Sequence, residues 1–432
     1  MAIFDSSALN PGVRPREVLS WAGYDFANSG YTTVVLTAVF NAYFVGVVAN
    51  GADWGTLAWT VTLAVSNAGV MLTMPIIGAY ADLRARKQWL LRLSTIGCVL
   101  STAALALAGR GDVAIAVAAI VTSNFFFQIG VSLIGAFLPE IARPAALGKV
   151  SGWGWSFGYL GGLATLAVCL AYVTWARGQG GLAEEFVPGT MLITAGIFAL
   201  AALPTLFILR ERAVPQPQGS VDVVRGAISR LASTLKHVGA FRDFARLLLC
   251  STFYQAGVAV VIALAAIYAQ EVMQFSFEQT LQLVLVVNIT AAIGAFAFGY
   301  IQDRLGHKRA LALTLLLWIA MTAVASMATT SAMFWVSANL AGLAMGSSQS
   351  AGRAMVGVFA PPTRLAEFYG LWTLSVQVAA IVGPLTYGAV VYLTDNNHRL
   401  GMMITGGFFV IGLLLIASID IERGRRAASD TE

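Results

Sequence analysis

The sequence predicts an all-α integral membrane protein of twelve transmembrane helices in two related six-helix halves. Three observations predict it. The chain is 58% hydrophobic and 11% charged, with a mean hydropathy of +0.77, where soluble domains carry roughly 25% charged residues. Apolar runs long enough to cross about 30 Å of hydrocarbon, roughly 20 residues each, recur along the whole length. Motifs at the exits of early spans also return, at a fixed interval, at the exits of later ones.

The expected spans are 18–48, 55–81, 88–108, 113–138, 147–175, 189–209, 243–270, 279–301, 309–328, 332–358, 366–393 and 400–421. Residues 1–209 then form one half and 243–432 the other, with 210–242 as a cytoplasmic linker. Pro215 and Pro217 mark that linker. After them Val224, Ile228, Leu231, Leu235 and Val238 recur at helical spacing with Arg225, Arg230 and Lys236 alongside, the pattern of an amphipathic helix lying on the cytoplasmic leaflet.

Orientation follows from the basic residues, because cytoplasmic loops carry the Lys/Arg excess. Of the 26 Lys and Arg, only Arg110, Arg177 and Arg399 fall on the far side when the amino terminus is inside, and Arg353 falls within a span. Both termini are therefore expected in the cytoplasm. This asymmetry accounts for the net charge of +5, so no nucleic-acid partner is read from it. The first apolar stretch is too long for a cleaved signal peptide and contains Asp25. Cys98, Cys169 and Cys250 are odd in number and fall in or at spans, which suggests no disulfide framework.

The first span holds the main anomaly. Asp25, Asn28, Ser29 and Thr32 share one helical face, and Asp at the bilayer core costs roughly 3 kcal/mol, so such residues line a pathway or meet a partner. Helix packing around a buried polar cluster is the alternative. Asp25 and Arg353 are the charges that lie more than one turn inside a span. At about 1.5 Å per residue both sit roughly 8 to 11 Å from the same side, close enough to pair. With Glu140 below the fourth span they are expected to close the cytoplasmic side. The competing reading has Arg353 snorkelling to the headgroups above a neutral Asp25.

Further pathway candidates are Tyr31 in the first span, Asn124, Gln128 and Ser132 in the fourth, and Tyr254 and Gln255 in the seventh. Asn288 in the eighth, Asn339 and Gln349 in the tenth and Gln377 in the eleventh are also candidates. Interhelical hydrogen bonding explains such residues equally well. Gly154, Gly158 and Gly162 form a small-residue ridge in the fifth span, and Ala291, Ala295 and Gly299 a matching face in the eighth. His237, His307 and His398 show no metal-ligand spacing, so neither metal nor cofactor is expected. A G-x-x-x-x-G-K-[ST] loop is absent from the sequence, which argues against direct nucleotide energising.

The repeat is clearest at the exits of the second and eighth spans. Gly78, Asp82 and Lys87 are matched by Gly299, Asp303 and Lys308 at one interval, with Arg86 as a further basic residue in the first copy and Arg304 in the second. Gly135, Phe137 and Pro139 likewise return as Gly357, Phe359 and Pro361. Gly permits close helix approach, and Asp can accept from a neighbouring helix N-terminus. Two copies of G-x-x-x-D-x-x-x-[RK]-[RK] in a twelve-span chain resemble the loop signature of the major facilitator superfamily. The second copy has Gly306 and carries His307 before Lys308, while the first has Ala85 at the place of Gly306. The fifth span departs from the drug/proton antiporter signature, with Tyr159 in place of proline, and the fourth lacks the usual Arg.

Four blocks sharpen the resemblance: WAGYDFANSGY from Trp21 to Tyr31, FLPEI from Phe137 to Ile141, GWGWSFGYLGG from Gly152 to Gly162, and the stretch Gly346 to Gly383 with Gln349, Arg353 and Glu367. They are similar to the vacuolar amino-acid effluxer family first described in yeast autophagy, over nearly the full chain. That resemblance implies alternating access and export of small organic solutes, amino acids in the eukaryotic members. The chain departs from the family at Gly135, where Asn is usual, at Gly352 and Ala354, where Ser is usual, and near Val376, where a basic residue is lost. The expected protein is a non-enzymatic secondary transporter, a monomer in the bacterial inner membrane, that moves a small-molecule solute and protons through the lipid bilayer. Drug or lysolipid transport, or a solute receptor without turnover, are the other readings.

Overall fold

A computed structural model describes residues 5–52, 54–216 and 241–429. Twelve long helices cross the bundle: α1 Pro15–Val48, α2 Gly55–Arg84, α3 Lys87–Ala104, α4 Val113–Ala136, α5 Leu147–Gly178, α6 Ala183–Ile208, α7 Arg242–Glu271, α8 Phe277–Leu305, α9 His307–Met327, α10 Ser331–Phe359, α11 Leu365–Leu393 and α12 His398–Ala417. They follow the twelve expected spans, with α6 starting six residues earlier. A short α13, Ile421–Ser429, follows them and was not foreseen. The amphipathic helix expected at Val224 to Val238 lies outside the described residues.

By length and apolar composition eleven of these helices can cross a membrane. The twelfth, α10, is long enough at 29 residues, but its Ser, Gly and Gln residues and Arg353 lower its hydropathy. The most polar span is therefore the one that carries the unpaired-looking charge of the second half of the sequence. Helix α1 also differs from expectation. It is α-helical over Pro15–Tyr31 and then widens to π-helix at Thr32–Ala38 and Phe44–Val48, a winding that often accompanies functional sites.

Helix α1 packs on α5 and α6, α3 on α4, α8 on α10, and α7 on α11 and α12. The first six helices meet the last six chiefly where α5 crosses α8 and α2 crosses α11. Large apolar side chains such as Leu72, Leu100, Phe207 and Leu414 remain exposed on the outside, the surface that lipid covers. Both described ends of the chain lie at one end of the bundle, called here the termini side. There Asn10 donates to the carbonyl of Pro139, Asp5 lies 3.6 Å from Lys149 at the start of α5, and Gly424 of α13 packs on Phe359.

The glycine ridge faces a different neighbour from the one expected. A Cβ on Gly158 would lie 3.0 Å from Ser29 Oγ, and one on Gly162 2.8 Å from Thr33 Oγ1, so the ridge serves the α1 contact. Helices α5 and α8 do meet, through Gly148 and Gly152 and through Tyr159 packed on Ala291 and Ala295. A Cβ on Gly152 would lie 2.5 Å from the carbonyl oxygen of Ala295 and 3.2 Å from Gly299 Cα. Gly152 and Gly154 are two residues apart, about 200° around the helix, so the two glycine sets face opposite neighbours.

Candidate functional site

Asp25 is buried one-third of the way along α1, and Arg353 reaches it from α10. Arg353 Nη1 donates to Asp25 Oδ2 at 2.7 Å. Its Nε donates to Ser151 Oγ at 3.1 Å and its Nη2 to the Ser151 carbonyl at 2.8 Å. The guanidinium carbon also lies 4.6 Å from the Trp21 ring centre and 5.4 Å from that of Trp155, within cation–π range. Arg353 therefore does not snorkel to the headgroups. Each component is itself held. Trp21 Nε1 donates to the Ile134 carbonyl at 2.8 Å, Ser151 Oγ to the Ser350 carbonyl at 2.9 Å, and Tyr369 Oη to the Arg353 carbonyl at 2.8 Å.

Gly154 makes the site possible. A Cβ there would lie 2.5 Å from Asp25 Oδ2, 2.5 Å from the Trp21 ring and 2.6 Å from Arg353 Nη2. In sequence it reads as one member of a packing ridge, and its spacing carries no sign of the ion pair behind it. Trp21, Ser151 and Trp155 are likewise functional neighbours that the sequence did not single out. The only signal was the presence of Trp21 and Trp155 in two of the aromatic and glycine-rich blocks, with Ser151 just before the second.

Glu140 is not part of this pair, contrary to expectation. It forms an ion pair with the fully buried Lys87 and accepts from the Arg212 backbone N–H at 3.0 Å. Arg212 in turn lies 2.9 Å from Glu17, and Glu211 accepts from the N–H groups of Lys87 and Gln88 at 2.9 and 3.1 Å. Burial pushes the Glu211 carboxyl above its ordinary range, against the pull of those two amides. Glu140 leaves the pair because Pro139 and the turn Leu138–Ile141 carry it away from α1, toward the start of α3. The basic residue of the first loop motif that is engaged is Lys87. Arg86 is exposed and lies 6.0 Å from the Trp89 ring.

The two loop motifs build matching contacts. Asp82 Oδ1 and Oδ2 accept from the N–H groups of Ala366 and Glu367 at 3.0 and 2.8 Å, at the start of α11. Asp303 Oδ1 and Oδ2 accept from Gly148 and Lys149 at 2.9 and 3.0 Å, at the start of α5. Each carboxylate meets the positive end of a helix dipole. Gly78 and Gly299 allow the approach: a Cβ on Gly78 would lie 3.0 Å from Glu367 Cα, and one on Gly299 3.1 Å from Lys149 Cα. Arg304 is exposed.

The remaining candidates divide. Gln255 and Gln349 exchange amide hydrogen bonds at 2.9 and 3.3 Å across α7 and α10. Tyr254 Oη, Asn28 Oδ1, Ser132 Oγ and Gln377 Nε2 are buried without a hydrogen-bond partner among the described residues, and Gln128 is half-buried. Asn124 and Tyr31 are used in packing. Asn124 Nδ2 donates to Ser66 and Asn67, both at 3.0 Å, while Tyr31 bonds Ser123 at 2.8 Å and packs on Phe127. Asn288 and Asn339 donate to carbonyls of their own helices at 2.8 Å. Among the described residues no group of three His, Cys, Asp or Glu could hold a metal.

A family model described as "Vacuole effluxer Atg22 like" matches residues 57–429. The chain belongs to this family. Among its relatives, an "Uncharacterized MFS-type transporter YxiO" of Bacillus subtilis is 24% identical over 93% of this chain and 94% of its own. The "Autophagy-related protein 22" of Candida glabrata is 25% identical over 46% of this chain and 39% of its own. In fold, this Atg22-like chain resembles the human organic anion transporter MFSD10 (TETRAN), with a TM-score of 0.69 at 16% identity, over 93% of this chain and 100% of that one. It also resembles the proton:xylose symporter XylE, with a TM-score of 0.68 at 15% identity, over 92% and 94%. The protein is a twelve-helix major facilitator transporter of the lipid bilayer, and its relatives and neighbours are transporters, not enzymes.

Proposed function

We propose that the chain is a secondary active exporter of small polar or zwitterionic solutes such as amino acids, working by alternating access and coupled to protons through Asp25. The observation that carries this reading is the buried Asp25–Arg353 pair, which bridges the first six helices and the last six on the termini side. Separating the halves there strips Arg353 from a carboxylate in the membrane interior, a loss of several kcal/mol unless another cation or a proton takes its place. Protonation of Asp25 therefore permits opening. In this reading residues 1–209 and 243–432 rock against each other about the linker 210–242, both termini are cytoplasmic, and a monomer works in a bacterial inner membrane. Asn28, Gln128, Tyr254, Gln255 and Gln349 contact the solute. The Asp82 and Asp303 contacts with their glycines close the cytoplasmic side, together with the Glu140–Lys87 pair. The effluxer description of the family supports the outward direction.

The test is flux in proteoliposomes with a panel of labelled amino acids, with and without an imposed pH gradient, for the wild type and Asp25→Asn. Gradient-driven flux that loses its pH response in the variant is the expected result. A wild type that moves none of the panel removes amino acids from the reading.

A further inference from the structure

The guanidinium of Arg353 sits in a box built entirely by α1 and α5. Asp25 supplies a carboxylate at 2.7 Å, the Ser151 carbonyl an acceptor at 2.8 Å, and Trp21 and Trp155 two aromatic faces at 4.6 and 5.4 Å. One carboxylate, one carbonyl and two indoles is the chemistry of a site for an organic cation. The box is preformed, since Trp21 is anchored on the Ile134 carbonyl and Gly154 leaves room behind it. Two polar atoms on the same two helices are also left over. Trp155 Nε1 and Asn28 Oδ1, the latter one turn along α1 from Asp25, are buried with no hydrogen-bond partner among the described residues. A buried polar atom without a partner is costly, so two on the helices that build the box point to a polar ligand that meets them.

We propose that Arg353 is a tethered stand-in for the cationic group of the transported solute, and that the Asp25–Trp21–Trp155–Ser151 box is that group's binding site when the termini side is open. The solute class is a small molecule with an ammonium or guanidinium group. This rests on the exporter reading for the direction of transport. When α10 withdraws, Asp25 releases its proton to the termini side and the box takes the solute cation. When the termini side closes, Arg353 re-enters and displaces the cation toward the other side. Binding and gating are then the same event, because the two cations exclude each other from one carboxylate.

The experiment is equilibrium binding of labelled agmatine, an organic cation without a carboxylate, to the purified full-length protein. Arg353→Ala is expected to bind agmatine at least about tenfold tighter than the wild type, the change that about 1.4 kcal/mol of relieved competition gives. Adding Trp155→Leu is expected to weaken that binding by about threefold to tenfold. Adding Asp25→Asn is expected to abolish it. Arg353→Lys keeps a charge beside Asp25 in case the alanine variant fails to fold, and should fall between wild type and Arg353→Ala. Binding no tighter than wild type in the folded Arg353 variants, or binding indifferent to Asp25→Asn, overturns the proposal. Amino-acid flux by the wild type in the same preparation separates the two ideas. Flux without agmatine binding in the variants leaves the exporter and removes the box, whereas binding without flux does the reverse.

Discussion

The two G-x-x-x-D motifs share their residues and their main contact but sit in different surroundings. Lys87 and Lys308 occupy equivalent places after Asp82 and Asp303. Lys87 is fully buried, paired with Glu140 and set over the Phe137 ring at 5.3 Å. Lys308 is half-buried and donates to the carbonyls of Ala417 and Ile419 at 2.7 and 2.8 Å, at the end of α12. The first motif is thus embedded in a network that reaches Glu17 and Arg212, and the second caps a helix end. The same local sequence makes a buried charge cluster in one place and a partly solvated cap in the other, because Glu140 stands ready beside the first and backbone carbonyls beside the second.

Removing each lysine tests that difference most strongly. Lys87→Met leaves Glu140 buried and unpaired, which costs about 3–5 kcal/mol. Lys308→Met gives up only a cation at a helix C-terminus, worth about 1 kcal/mol or less. Thermal unfolding of the purified protein should show a large fall in Tm for the first and a small one for the second. Adding Glu140→Gln to Lys87→Met should recover much of the loss. Equal shifts for the two lysines would mean that the burial of Lys87 carries no energetic weight.

The carboxylates make the next comparison. Asp82 is only 3% exposed and Asp303 is half-buried, yet each accepts two backbone N–H bonds. Asp82→Ala should favour the termini-open state by about 2–3 kcal/mol, since the amides at the start of α11 are left without their charged acceptor. Asp303→Ala should do so by about 1 kcal/mol, because water reaches its partners more readily. Spin labels at Arg84→Cys and Arg304→Cys, both exposed positions, would report the separation, and the native cysteines are buried. A larger opening for Asp303→Ala would reverse the ranking.

These contacts also show which features a sequence reveals. The twelve helices were legible because lipid leaves a long apolar run no other fold, and most runs are bounded by charge or glycine. The meeting of Asp25 and Arg353 was legible because two deep charges on one side of a membrane have few other partners. The identity of the third partner was not. Glu140 lies near both in any drawing of the spans, but the turn at Pro139 and a burial of Lys87 that no periodicity marks take it elsewhere. Trp21, Ser151 and Gly154 were hidden for a similar reason. Their types are those of ordinary membrane packing, and their role arises only from the crossing of α5 with α1 and α10. The π-helical stretches of α1 lie beyond a 3.6-residue periodicity altogether.

The turn after each Asp gives the smallest and most local test. Ala85 ends α2 in the left-handed conformation, φ 50° and ψ 54°, where a Cβ costs about 1–2 kcal/mol. Gly306 ends α8 at φ 87° and ψ 152°, a region that is almost closed to other residues. Both motifs end their helix at a positive φ, in two different conformations, but only the second has the residue that adopts one without strain. Gly306→Ala should therefore lower stability by about 1–3 kcal/mol. Ala85→Gly should raise it by about 0.5–1 kcal/mol, because the relief of strain exceeds the extra freedom that glycine gives the unfolded chain. Opposite shifts in Tm for these two substitutions are the expected outcome. If Ala85→Gly lowers Tm instead, the strain at Ala85 is smaller than the entropy it saves, and the first motif tolerates alanine because nothing there requires glycine.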